Sequence, residues 1–170
     1  KVLSRIVLAT LMVLLMSCSE KEYLNVIPRE SVAIVSVDAQ QLSSSGQMGI
    51  DNAIKNILGV DNTEECGVDF LSKIYIFEIP DGTLGLVARV ENAGRITEWL
   101  SELSSSGKCT VPEEHLGNRF VTIGDSWIAG YSDDAMIVIG PVSAMQRDAT
   151  KQKIQKMFRQ TEEEGARGAR

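Results

Sequence analysis

Histidine is almost absent from this chain. His115 is the only one in 170 residues, and cysteine occurs three times, at Cys18, Cys66 and Cys109. A catalytic nucleophile needs a base beside it, so any triad must use His115 or do without histidine. One histidine and three widely separated cysteines make no zinc-ligand spacing. Aromatic residues are few, with four Phe, three Tyr and two Trp, and Trp99 and Trp127 read as packing residues. Positive charge is in deficit: 17 Lys and Arg against 23 Asp and Glu give a formal charge of −6. That balance argues against a nucleic-acid partner and against an electrostatic membrane patch. No phosphate-cradling glycine loop and no dinucleotide fingerprint is present. No cofactor and no metal is implied.

The few motifs that could carry chemistry are incomplete. Ser126 sits in Gly124-Asp125-Ser126-Trp127-Ile128. A nucleophile elbow needs glycine where Ile128 stands and a strand-to-helix turn, whereas this stretch reads as strand-to-strand. Asp61-Asn62-Thr63-Glu64-Glu65 offers oxygen ligands suited to calcium but lacks the glycine and terminal glutamate of an EF-hand loop. Glu113-Glu114 and Asp133-Asp134 are adjacent pairs, and neighbours on a strand point to opposite faces. These residues read as solvated loops and turns, and the chain as a non-enzyme.

What is present begins at the N-terminus. Lys1 and Arg5 flank Ile6 to Met16, an uncharged run of 11 residues. That length suits a secretory h-region and falls short of the ~20 residues of a membrane-crossing helix. Leu15-Met16-Ser17-Cys18 follows directly. It resembles the lipobox of bacterial lipoproteins, with an aliphatic residue three places before the cysteine and a small one directly before it. Met16 departs from the usual middle residue. The resemblance implies that Cys18 is acylated and becomes the first residue after cleavage, so the membrane is a partner through its acyl chains. Two or more chains make such an anchor stable. The alternatives are an ordinary cleaved signal peptide or an uncleaved anchor. Cleavage would leave 153 residues, and loss of Lys1 and Arg5 would take the charge from −6 to −8. That is enough chain for one core.

The expected organisation is a signal peptide over 1–17, a lipidated tether over 18–30, one α+β domain over 31–160 and a disordered tail over 161–170. Val32 to Val37 is a β-branched run, read as a strand. A helix is predicted over Ile50–Leu58, where Ile50, Ile54, Ile57 and Leu58 share one face and Gly59 stops it. Residues 73–79 and 83–90 form a hairpin about Pro80-Asp81-Gly82. Asn92 caps a helix whose apolar face is Ile96, Trp99, Leu100 and Leu103. Strands over 119–123, 126–131 and 135–139 and a helix over 141–160 complete the chain. The class is α+β with a largely antiparallel sheet and helices on one face: a ferredoxin-like βαββαβ unit, a β-meander and a C-terminal helix. This topology puts Cys66 and Cys109 at opposite ends of the sheet, which disfavours a disulfide.

Tyr23-Leu24-Asn25-Val26-Ile27-Pro28, Gly67-Val68-Asp69 before Ile74-Tyr75-Ile76-Phe77, and Trp127-Ile128-Ala129-Gly130-Tyr131-Ser132-Asp133-Asp134 together resemble the Bacteroidetes lipoproteins grouped as domain of unknown function 4836. Members of that group are typically longer, which suggests an N-terminal fragment. The resemblance implies an envelope address and supplies no catalytic residue. The expected function is that of an exported, lipid-anchored envelope protein, a non-catalytic binding or structural module with an unknown envelope protein partner, on the outer membrane in an unresolved leaflet. The rival is an exported hydrolase or ligand-capturing component whose site would bring His115 beside a serine or carboxylate.

Overall fold

The computed structural model describes residues 22–38, 66–160 and Gly165. The signal peptide, Cys18, the helix expected over Ile50–Leu58 and the acidic stretch Asp61–Glu65 lie outside the described residues. So does the expected tail apart from Gly165, which is buried and bridges to Pro28.

The α+β class holds. Among the described residues eight strands form one antiparallel sheet: β1 (Ala33–Val37), β2 (Val68–Asp69), β3 (Ile74–Glu78), β4 (Leu84–Val90), β5 (Glu113–His115), β6 (Asn118–Ile123), β7 (Trp127–Tyr131) and β8 (Ala135–Gly140). Two α-helices among the described residues accompany it, α1 (Ala93–Ser105) and α2 (Arg147–Phe158). The spatial order is β1-β3-β4-β8-β7-β6-β5, with β2 paired to the end of β4. Strands β6 to β8 make the expected meander, and β5, in a stretch read as loop, extends it by one strand.

Two expectations about arrangement are corrected. A split unit of ferredoxin type keeps two helix-connected strands parallel with another strand between them. Here β1 lies directly beside β3 and antiparallel to it, with Val35 opposite Ile76. The helices also do not share a face. Strand β8 reads Ala135-Met136-Ile137-Val138-Ile139, apolar at every position, and β4 buries Val87 and Ala88 in succession. Successive side chains point to opposite sides, so such strands need cover on both. On one side Ile154 and Met157 of α2 pack with Tyr23, Ile27, Phe77, Val87, Phe120, Ile128, Ile137 and Ile139. On the other, Ile96, Leu100 and Leu103 of α1 pack with Val68, Ile74, Ala88, Val90, Val121, Ala129, Tyr131 and Met136.

Local chemistry explains the elements. Asn92 accepts the Arg95 N–H at 3.0 Å and starts α1. At its C-terminal end Gly107, at φ +75°, donates to the Ser104 carbonyl and Lys108 to that of Leu103, a Schellman closure. In the β3–β4 turn Asp81 Oδ1 accepts the Thr83 N–H at 2.9 Å and Gly82 takes a positive φ. Two glycines leave room for rings from paired strands. Gly85 lies opposite Phe77 and Gly130 opposite Phe120, and a Cβ at either would collide with the facing ring. The glycines are therefore packing partners of the two phenylalanines.

Part of the stretch expected as tether belongs to the core. Glu22–Val26 forms a 3-10 helix, and Tyr23, Val26 and Ile27 are buried in the α2-side core. Among the described residues, core packing thus already includes Tyr23, eight residues before the expected domain start at 31.

Candidate functional site

The densest polar cluster forms where the N-terminal 3-10 turn meets the sheet. Asp69 Oδ1 accepts the N–H groups of Leu71 (2.9 Å) and Ser72 (3.2 Å). Its Oδ2 accepts the Ser72 hydroxyl (2.8 Å) and pairs with Arg89 Nη1 at 3.2 Å. Beside it Tyr23 donates its hydroxyl to the Lys73 carbonyl at 2.9 Å and tilts against Tyr75, with ring centroids 6.1 Å apart. Burial, reinforced by Tyr75 and the Asp69 charge, pushes the Tyr23 phenol up to about 12. With its carboxylate satisfied by four donors, the cluster fastens the 3-10 turn to β3 and β4. It locks structure and presents no reactive group. Sequence reading missed it, although Asp69 with Ser72 three places on carries an Asx-turn signal.

The sequence candidates are dispersed. Ser126 lies in the β6–β7 turn, where its carbonyl accepts the Val142 N–H at 2.7 Å. His115 is exposed at the end of β5, opposite Asn118. They sit at opposite ends of β6, whose six residues span on the order of 20 Å, so these two do not form a nucleophile–base pair. Glu113 reaches Lys151 at 3.3 Å. Asp133 and Asp134 occupy the β7–β8 turn, where the Asp134 carbonyl accepts the Val90 N–H at 3.0 Å. Among the described residues no group of three or more His, Cys, Asp or Glu could hold a metal ion.

Cys66 and Cys109 are not joined in a disulfide. Cys66 is buried just ahead of β2, whereas Cys109 bridges to Ile123 at the other end of the strands. The Cys109 thiol points to the Leu100 carbonyl at 3.3 Å, and burial pushes its pKa up, away from the thiolate a nucleophile requires. Trp99 packs against the α1-side core, and Trp127 lies over Gly140, where a Cβ would strike its ring.

Two surface features remain. On the α1 side Val35, Ile76, Leu84 and Trp127 are each 39 % exposed or more. The sheet also ends in two unlike edges, uncharged β1 and acidic β5. Comparison of the chain with family models, with curated proteins and with solved structures finds no match.

Proposed function

We propose that this chain is an exported lipoprotein of the cell envelope, held in the outer membrane through acyl chains on Cys18 and acting as a non-catalytic binding or structural module. The observation that carries the reading is the Lys1 and Arg5 flank, the 11-residue apolar run and Leu15-Met16-Ser17-Cys18 in that order. The resemblance to the Bacteroidetes lipoproteins points to the same address. A binding or structural role is supported by the separation of Ser126 from His115 and by the apolar residues left open on the sheet.

The test is intact mass and membrane fractionation of the expressed chain beside Cys18→Ala. The expected result is acyl mass and membrane partitioning for the native chain, with the variant accumulating as unlipidated precursor. Identical behaviour of the two, with no lipid on either, overturns the proposal.

A further inference from the structure

Every open sheet has two edges, and each exposes a row of unpaired backbone N–H and C=O groups. Proteins blunt such edges with charge, proline, brevity or a covering segment. The two edges here are treated differently. At one end, β5 is three residues long and reads Glu113-Glu114-His115, all exposed, with Lys151 alongside Glu113. At the other end, β1 reads Ala33-Ile34-Val35-Ser36-Val37, with neither charge nor proline. Its side chains are open on both faces of the sheet: Ile34 is 44 % exposed on one and Val35 57 % on the other. On the Val35 side the adjacent Ile76 is 41 % exposed, so the apolar row runs up to the edge. Among the described residues, β1 pairs only with β3.

We propose that the outer edge of β1 is a self-association surface, paired antiparallel with β1 of a second copy about a two-fold axis at Val35. In that register Val35 faces its own counterpart, Ile34 faces Ser36, and the Val35–Ile76 row continues across the axis. Cross-strand pairing of β-branched residues favours the arrangement. The opposite edge decides against a head-to-tail chain of copies, since that would set Glu113 and Glu114 beside the apolar β1 and desolvate their carboxylates. The assembly is therefore a closed, isologous pair. A five-residue edge is about 17 Å long. Its footprint falls below the ~1,200 Å² of stable complexes, so the dimer is weak and dependent on concentration. The inference stands independently of the lipid anchor.

Sedimentation equilibrium of the full chain in density-matched nonionic detergent tests it, with Val35→Lys beside Val111→Lys. Val111 is 66 % exposed and lies toward the β5 edge, so its variant controls for adding a charge at an open valine. The native chain and Val111→Lys should form dimers in proportion to concentration. Val35→Lys should raise the dissociation constant at least tenfold with an unchanged thermal melt. A Val35→Cys chain should cross-link as a dimer under mild oxidant at a concentration where native chain and Val111→Cys do not. A native chain that stays monomeric throughout overturns the proposal. So does a Val35→Lys chain that dimerises like the native one, or a Val35→Cys chain that does not cross-link.

Discussion

The two faces of the sheet are covered by helices of equal standing reached by unlike routes. Helix α1 follows β4 after two residues and is set by its neighbours in sequence: the Asn92 cap, the Schellman closure and the row Ile96, Leu100 and Leu103. Helix α2 is fastened across long stretches of chain. Lys153 reaches Asp81 at 2.9 Å over 72 positions and Lys151 reaches Glu113 over 38. The 3-10 turn that shares its face is latched by Tyr23 to Lys73 over 50. The difference teaches that the core under α1 closes within residues 66–138, whereas the other face waits for the N-terminal 3-10 turn and α2 to meet.

The largest effects should come from the apolar seats, and there the two faces should behave alike. Leu100 and Ile154 are fully buried, one on each side. Leu100→Ala and Ile154→Ala should each cost about 2–5 kcal/mol, through lost burial plus the cavity left behind. Denaturant unfolding checks this. A loss below ~1 kcal/mol at Ile154 alone would show that α2 is an accessory and that the α1 face is the true core.

Smaller effects should separate the faces. Tyr23→Phe removes the hydroxyl bonded to Lys73 and should cost about 0.5–1.5 kcal/mol. It should also change the response to alkali. The Tyr23 phenol is raised to about 12 from its ordinary 10.0, so the folded state favours the protonated form. That contribution is complete below pH 10 and is lost as pH rises through about 12. Stability curves of the native chain and of Tyr23→Phe should therefore converge over that window. Parallel curves would mean that the phenol is not held by its surroundings.

The smallest effect is expected at Lys153→Met. Hydrogen bonds from Thr83 and Lys153 hold the Asp81 carboxyl down at about 2, but both partners of the ion pair are substantially exposed. Solvent screens such a pair, and its removal should cost less than about 1 kcal/mol, shrinking further in high salt. A larger, salt-insensitive loss would make this contact a principal fastener of α2.

The parts of the fold that could be read from sequence are those whose causes lie within a few residues. Pro80-Asp81-Gly82 between two β-branched runs gave the β3–β4 hairpin, and Asn92 with Ile96 and Leu100 gave α1. Strand β5 could not be read, because Glu113, Glu114 and His115 have little strand propensity of their own. Their state comes from pairing with β6 through the Leu116-Gly117 turn, where both residues take a positive φ. Strand β2 has only two residues and exists because Val68 and Asp69 lie against Val90 and Arg89. The Asp69–Arg89–Tyr23 lock escaped because its members converge from three separate stretches. Ser126 and His115 were legible as candidates, and only the sheet shows the length of β6 between them.

By itself the sequence determined the element types over most of the described chain, the antiparallel α+β class and the residues on which the export proposal rests. Each depends on short-range periodicity, turn chemistry or a contiguous motif. Which strands pair beyond the hairpins, β1 with β3 and β4 with β8, and that the helices take opposite faces, were decided by tertiary structure alone. A period of two marks that a strand has two faces without naming its neighbours or the cover on either side. The same holds for the N-terminal stretch. Its polar start reads as a tether, and Tyr23, Val26 and Ile27 became core only because the sheet and α2 together offer a seat for them.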